Sequence, residues 1–264
     1  MRKFFLLLLI IFLMTGCSGE KHSETNSMRY SRIVTIGIDE FAPFGFTDEN
    51  GNIVGFDVDL AKEAARRMGV EPEFKIIDWN NKEMEITAGN VDMIWNGCDI
   101  IDDYKRYMIF SKPYMENSQI ILVRKDDTQN IYSEYDLAGK IVGTQAGSNS
   151  EDYIDTNNDL RNSFAKFKIY HTVKEGFEAL KSGELDVLII DEIAARYEIN
   201  KNPGVFEIIY VTVGPLTEFG IGFRKGNTEL RDKVQKVFDD MIKDGTAREI
   251  SERWFQADLI KSSM

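Results

Sequence analysis

The stretch that decides the fold is Ile33–Met68, which reads IVTIGIDEFAPFGFTDENGNIVGFDVDLAKEAARRM. It opens with a β-branched run, Ile33–Ile38, which predicts a buried strand. It closes with apolar positions at helical spacing, which predict a helix that packs one face on a sheet. We expect Asp57 to be the N-cap of this helix and Gly69 to end it. The loop between strand and helix, Asp39–Phe46, is acidic and carries three phenylalanines. Because parallel sheets bind ligands at the carboxyl ends of their strands, this loop is a candidate binding site.

The composition is that of an ordinary globular protein. The chain has 264 residues, of which 43% are hydrophobic and 29% charged, enough for one large or two small domains. A formal net charge of -12 argues against binding to nucleic acid, because the phosphates would be repelled. Cys17 and Cys98 do not suggest a disulfide framework, and His22 and His171 are too few for a His-rich metal site. We therefore expect no metal and no cofactor.

The first residues have the order of a targeting segment. Two basic residues precede the apolar run Phe4–Met14, which is too short to span a bilayer. Small residues then precede Cys17, which resembles the bacterial lipobox, although Met14 stands where that motif usually has Leu. We predict a signal peptide at 1–16, acylation of Cys17 and a lipid-anchored tether at 17–30. The alternative is a plain secretory signal with an incidental cysteine.

Strands and helices alternate along the rest of the chain, which predicts α/β sheets. One phrase occurs twice, at 88–94 and at 182–188: a helix end, a glycine, and then an aspartate inside a buried strand. Polar residues end both copies, Asn96 in the first and Asp191 in the second. Two lobes of similar build would present these strand ends to each other across a cleft, although the phrase is also common in single α/β domains.

The chemistry that these residues indicate is binding. The sequence has no Gly-rich nucleotide loop of the Lys-Ser/Thr kind and no GxSxG elbow. Cys98 has no adjacent histidine to activate it. What remains are aromatic rings, polar strand ends, and a helix N-terminus after Gly147 and Ser148 that offers free backbone N–H groups. We therefore do not expect an enzyme.

The chain resembles the polar amino acid-binding proteins of bacterial ABC importers, which are lipoproteins of the type II periplasmic-binding-protein fold. The phrases that carry the resemblance follow in family order: GIDEFAPFGF, VGFDVDLAKEAARRMG, GNVDMIWNG, FSKPYM, GTQAGSNSEDY, SGELDVLIIDE and DGTAREISERWF. The resemblance implies two α/β lobes with mixed sheets flanked by helices. Two hinge strands would join the lobes and let them close on a solute. Lobe 1 would comprise 31–117 and 217–260, and lobe 2 would comprise 118–216.

The resemblance also assigns the contacts to the ligand. It implies two stacking rings, two strand-end groups, a polar loop before a helix and an acceptor for the ligand's ammonium group. These correspond to Phe41 and Trp79, to Asn96 and Gly97, to Ser148, Asn149 and Ser150, and to Asp191. The alternatives are that the loop phenylalanines are ordinary core and that Asp191 is a plain helix N-cap.

Two positions depart from the family pattern. Asp99 stands where the family usually has Ser or Thr. Tyr104 stands where the family usually has the Arg that clamps the ligand's α-carboxylate. Lys105 and Arg106 follow, but in a helix they point about 100° and 200° away from Tyr104. Neither is therefore an automatic substitute for the family arginine.

The expected pocket is net negative and aromatic. Its members would be Asp39, Asp99 and Asp191 with the rings of Phe41, Trp79, Trp95 and Tyr104. Carboxylates and aromatic faces attract ammonium and guanidinium groups. We predict a preference for a cationic ligand, either an amino acid or an amine without a free carboxylate. The alternative is that Arg106 swings in and an ordinary amino acid binds.

The resemblance implies a lipid-anchored, extracytoplasmic receptor, monomeric, that captures an amino acid or a small amine and delivers it to an ABC permease. Two alternatives stay open. One is a ligand-sensing protein for signalling. The other is a dehydratase-like cleft enzyme on the same fold, for which Glu40, Asp99 and Asp191 would be candidate acids.

Overall fold

Residues 32–125, 127 and 130–261 are described by the computed structural model of the chain. The predicted signal peptide, the tether and Cys17 lie outside these residues. Within them, no helix has both the length and the apolar character needed to cross a membrane.

The described strands build two five-stranded sheets and two two-stranded sheets. In chain order they are β1 (Ile33–Ile38), β2 (Phe46–Thr47), β3 (Ile53–Val54), β4 (Glu71–Ile76), β5 (Met93–Ile94), β6 (Met108–Phe110), β7 (Met115–Asn117), β8 (Gln119–Arg124), β9 (Ile141–Gln145), β10 (Lys166–Tyr170), β11 (Val187–Asp191), β12 (Phe206–Thr212), β13 (Thr217–Phe219) and β14 (Gly222–Arg224). The five-stranded sheets have the orders β4-β1-β5-β14-β6 and β10-β9-β11-β8-β12, and the two-stranded sheets are β2-β3 and β7-β13. Both five-stranded sheets are mixed, because β1 and β9 have parallel neighbours whereas β14 and β8 pair antiparallel. The prediction of mixed α/β sheets is confirmed.

Helices cover both five-stranded sheets. They are α1 (Phe56–Met68), α2 (Lys82–Thr87), α3 (Asp102–Lys105), α4 (Asn149–Thr156), α5 (Asn158–Ser163), α6 (Val173–Ser182), α7 (Glu192–Lys201), α8 (Thr228–Asp244) and α9 (Thr246–Phe255). The first sheet is covered by α1 and α8, which also pack against each other, and the second by α6 and α7. Each sheet thus has its own helical layer, as expected of two lobes.

Helix α1 begins earlier than predicted. Its N-cap is Gly55, with a φ of 146°. A Cβ at Gly55 would lie 2.1 Å from the carbonyl oxygen of Phe44, so only glycine fits there. Asp57 lies inside the first turn and is fully buried, so its prediction as the N-cap is wrong. The predicted end is confirmed, because Gly69 has the left-handed conformation that closes many helices.

The chain crosses between the two five-stranded sheets twice. One crossing leads from β7 into β8, and the other from β12 into β13. Strands β7 and β13 pair antiparallel, with Thr217 opposite Asn117, so the two crossings lie side by side. This is the two-lobed architecture that the sequence predicted. The predicted lobe boundaries, 31–117 with 217–260 and 118–216, fall at these crossings and stay a prediction of where the lobes hinge.

Candidate functional site

Strand ends from both five-stranded sheets meet in the gap between the lobes. Asp39 follows β1 and Gly97 follows β5 in the first lobe, while Gln145 ends β9 and Asp191 ends β11 in the second. All four line one cavity of about 10 Å³. A cavity of this size holds about one water molecule.

Most of the ligand contacts predicted from the sequence line this cavity. They are Asp39, Phe41, Trp79, Gly97, Asp99, Ser148, Asn149 and Asp191. Gln145 also lines it but was not predicted, although its place at a strand end was a signal that could have found it. The other two loop phenylalanines lie elsewhere: Phe44 is fully buried in the core, and Phe46 packs against Tyr197 of α7.

Asp99 and Asp191 form an acidic pair at the cavity. The amide nitrogen Nδ2 of Asn117 donates to Oδ1 of both, at 3.0 Å and 2.5 Å respectively. Thr217 donates its hydroxyl to Asp99, and Gln119 donates Nε2 to Asp191 at 2.7 Å. Burial raises the pKa of both carboxyl groups, and the charge of Asp99 raises that of Asp191 further. A cation beside the pair would favour the ionised form of both.

Asp191 stands at the N-cap of α7 without capping it. Its side chain makes no hydrogen bond to the first turn of the helix. Its Oδ1 instead accepts hydrogen bonds from Asn117 and Gln119. Ser150, another predicted contact, does not line the cavity, and its hydroxyl donates to Oε1 of Gln119. The side chains around Asp191 therefore orient its carboxylate toward the cavity and not toward the helix.

Asp39 joins the two lobes. Nε2 of Gln145 in the second lobe donates to its Oδ2, and the backbone N–H of Glu40 donates to its Oδ1 at 2.7 Å. Burial raises the pKa of Asp39 to about 6, although both hydrogen bonds lower it. Glu40, a candidate acid of the enzyme alternative, does not line the cavity, and its carboxylate accepts two hydrogen bonds from Thr47.

Two predicted contacts in the first lobe lie behind the cavity. Trp95 is fully buried in the core, where its ring packs edge-on against Phe238 with centroids 5.8 Å apart. Asn96 donates Nδ2 to the carbonyl oxygen of Asp39 at 3.2 Å. Neither residue lines the cavity. Asn96 thus fixes the backbone that carries Asp39, and Trp95 packs the lobe beneath it.

Tyr104 reaches across the gap to the second lobe. Its hydroxyl donates to the carbonyl oxygen of Gly147 at 2.8 Å. Lys82 donates Nζ to the same carbonyl at 2.7 Å and lies 4.3 Å from the centroid of the Tyr104 ring. Sequence reasoning missed Lys82, because a lysine at a helix start usually points to water and its acceptor belongs to the other lobe. Arg106, the cation considered from the sequence, is 70% exposed at its side chain and pairs with Asp103 at 2.7 Å.

Comparison with known proteins decides what kind of site this is. The sequence profile described as bacterial extracellular solute-binding proteins, family 3, matches residues 34–257. The chain belongs to this family. The resemblance to the solute-binding proteins of bacterial ABC importers is therefore confirmed.

Individual relatives match most of the chain. The L-cystine-binding protein TcyJ of Escherichia coli K12 is 28% identical over 255 residues, which cover 95% of this chain and 94% of TcyJ. The arginine-binding extracellular protein ArtP of Bacillus subtilis is 31% identical over 261 residues, which cover 97% and 98%. A solved substrate-binding protein of an ABC uptake transporter from Streptococcus pneumoniae, with bound histidine, superposes with a TM-score of 0.82 at 33% identity, covering 87% and 95%. Like these proteins, this family 3 protein binds a solute.

Two further titratable side chains, Asp57 and Cys98, are buried in the lobe beneath the small cavity. Oδ2 of Asp57 accepts the backbone N–H of Gly97 at 2.7 Å and the hydroxyl of Tyr114 at 2.8 Å. Burial raises the pKa of Asp57 to about 7. Burial also raises the pKa of the Cys98 thiol, which stays protonated and unreactive. In the described part of the chain, no group of three or more His, Cys, Asp or Glu side chains could hold a metal.

A much larger groove, of about 1280 Å³, lies outside this site. Its walls come from α7, β12 and the segment after α9. Asn117 and Thr217 separate it from the small cavity, since both line the groove and also hydrogen-bond to Asp99. The candidate site is the small cavity, because the strand ends, the buried carboxylates and the stacking rings meet there.

Proposed function

We propose that this protein captures an amino acid between its lobes and delivers it to an ABC permease. Support comes from the ligands of its relatives, which are cystine, arginine and histidine. All three are amino acids that carry an ammonium group. The two-lobed fold with two adjacent crossings suits a protein that closes around such a solute.

The observation that carries the proposal is the buried carboxylate of Asp191. A side chain at an N-cap position ordinarily accepts a backbone N–H of its own helix, and Asp191 does not. It lies instead beside Asp99 in a cavity that the rings of Phe41 and Trp79 also line. Two carboxylates with aromatic faces close by attract an ammonium group. We assign the ammonium end of the amino acid to Asp191 and Asp99.

Titration calorimetry with the common L-amino acids and L-cystine tests the proposal. The wild-type protein should bind at least one of them, and Asp191→Asn should weaken that binding by at least about tenfold, because a charged hydrogen-bond acceptor is lost. The matched control is Asp240→Asn on the exposed face of α8, which should leave affinity unchanged. If no amino acid binds the wild-type protein, the proposed function is wrong.

The location at the membrane belongs to the same proposal. We infer that Cys17 carries a diacyl group and is the membrane anchor, because a single acyl chain gives only marginal binding. Replacing Cys17 by Ala should release the protein from the membrane fraction, whereas the neighbouring change Ser18→Ala should not. An unchanged membrane fraction for Cys17→Ala would contradict the anchor.

We also propose that the cleft releases its ligand unchanged. The support is that the relatives above are all described as binding proteins. After prolonged incubation with the bound amino acid, mass spectrometry should recover that amino acid alone. A product that accumulates with wild-type protein, and not with Asp191→Asn, would favour the cleft-enzyme alternative.

A further inference from the structure

Lys82 is a buried cation that forms no salt bridge with a carboxylate of the described residues, although the charges of Asp99, Glu151 and Asp152 act on it. It opens α2 and is only 4% exposed. In the described part of the chain, its hydrogen-bond acceptors are the backbone carbonyls of Trp79 at 3.3 Å and Gly147 at 2.7 Å. An ammonium group has three N–H donors, so these two carbonyls leave one donor over. Burying such a charge is unfavourable, and burial lowers the pKa of Lys82, although the charges of Asp152, Asp99 and Glu151 act in the opposite direction.

We propose that Lys82 receives the carboxylate of the ligand and so makes the site selective for amino acids over amines. The inference rests on the proposed function. The sequence left an amine open as the ligand, because Tyr104 replaces the family arginine. The structure places Lys82 against the ring of that tyrosine, with Nζ 4.3 Å from its centroid. A positive charge therefore lies beside Tyr104, where the family has its arginine, but the charge belongs to Lys82 on α2 instead of a residue on α3.

Ligand entry exposes Lys82. The cavity of about 10 Å³ is too small for an amino acid, so the lobes must separate to admit one. Lys82 and Gly147 belong to different lobes, and separation breaks the hydrogen bond between them. The ammonium group then lacks its best acceptor at the edge of the open cleft. A ligand carboxylate replaces the Gly147 carbonyl with a charged acceptor, and charge-assisted hydrogen bonds are the stronger kind.

The two ends of the site then match a zwitterion. Nζ of Lys82 lies 5.2 Å from the ring centroid of Trp79, which lines the cavity together with Asp99 and Asp191. An amino acid over the Trp79 ring would place its carboxylate toward Lys82 and its ammonium group toward the acidic pair. An amine without the carboxylate would leave Lys82 with only the neutral carbonyl acceptors of Trp79 and Gly147 when the lobes close.

Matched pairs of ligands test the assignment. Calorimetry compares arginine with agmatine, histidine with histamine, and cystine with cystamine, each an amino acid against its decarboxylated amine. For the pair whose amino acid binds best, wild-type protein should prefer the amino acid by at least about tenfold. Lys82→Gln should remove that preference by weakening the amino acid alone, and Lys82→Arg should keep it. Gln can still donate to Gly147, so a purely structural role for Lys82 would leave the preference intact.

Lys105→Gln on α3 is the control, since Lys105 is half-exposed and pairs with Asp102 at 2.9 Å. It should retain the preference of the wild-type protein. If Lys82→Gln does not fold, Lys82→Met replaces it in the same comparison. An amine that binds wild-type protein as tightly as its amino acid, or a preference that survives in Lys82→Gln, overturns the assignment. If none of these three amino acids binds, the amino acid identified by the calorimetry with the common L-amino acids is compared with its own decarboxylated amine. Only if no amino acid binds wild-type protein does the proposed function fail.

Discussion

Asp99 and Asp191 belong to different lobes and share one hydrogen-bond donor, Nδ2 of Asn117. An amide nitrogen has two hydrogens, so it can donate one to each carboxylate. Burial and mutual repulsion both oppose simultaneous ionisation of the pair. The closed cleft therefore takes up either protons or a cation, and this gives the protein a measurable response to pH.

The ligand-free protein should lose stability as the pH rises from about 5 to about 7.5. The pKa of Asp39 is raised to about 6 and that of Asp57 to about 7, from an ordinary value of 3.8. In this range the folded protein holds protons that the unfolded chain has already released, so unfolding releases protons and higher pH favours it. Glu63, whose pKa is lowered to about 2, titrates below the range and does not oppose the trend. Urea unfolding at both pH values measures the change.

A pair of variants tests whether carboxyl groups with a raised pKa cause this loss of stability with rising pH. Asp57→Asn removes one carboxyl group whose pKa is raised. The free energy of unfolding should therefore depend less on pH in this variant. Asp48→Asn removes an exposed carboxyl group whose pKa is lowered, and should leave the dependence on pH unchanged. A free energy of unfolding that stays constant or increases over the range would contradict the prediction.

Tyr114→Phe should destabilise the first lobe by about 1.5–3 kcal/mol, the usual contribution of a hydrogen bond to a charged group. The hydroxyl of Tyr114 donates to the buried carboxylate of Asp57 at 2.8 Å, and phenylalanine keeps the ring but removes the donor. Tyr132→Phe is the control, because Tyr132 is 80% exposed. Urea unfolding about one pH unit above the raised pKa of Asp57, where its carboxyl group is mostly ionised, gives both values. Equal stability of the two variants would show that the Asp57 carboxylate does not depend on this donor.

The structural features that depend on residues nearby in the chain were predicted well from the sequence. From the sequence, apolar positions at helical spacing and a following glycine, Gly183 or Gly245, predict helices over 173–182 and 228–244, and α6 and α8 have these bounds. The strand-end position of Asp191 was likewise visible, because a strand and a helix adjoin it directly. Local pattern therefore gave the elements, their order and most of the residues that line the cavity.

Prediction from the sequence failed where the role of a residue depends on a partner far away in the chain. Asp57 resembles an N-cap in its own helix, but its carboxylate accepts the N–H of Gly97, which lies 40 positions further along the chain. Lys82 resembles a solvated helix residue until the second lobe brings Gly147 to it. Trp95 ends a buried strand beside the site, and only the packing of Phe238 shows that its ring belongs to the core.

Closure of the lobes depends on a glycine at their contact. Gly147 has a φ of 68°, and a Cβ there would lie 2.9 Å from Cα of Asn80 and 3.2 Å from the carbonyl oxygen of Trp79, both in the first lobe. Backbone atoms cannot swing aside as a side chain can. A methyl group at this position would therefore hold the lobes apart and weaken the hydrogen bonds that Gly147 accepts from Lys82 and Tyr104.

Gly147→Ala should lower affinity for the amino acid that wild-type protein binds best, and should leave the protein less compact in small-angle scattering at saturating ligand. Gly139→Ala is the matched control. Gly139 has a similar φ of 76°, but no atom lies within 4 Å of its added Cβ. Both variants bear the strain of a left-handed alanine, roughly 1 kcal/mol, and only Gly147→Ala obstructs the other lobe. Equal stability loss with unequal ligand affinity is the expected result. Ligand affinity and compaction unchanged by Gly147→Ala would show that the lobes can close without this contact.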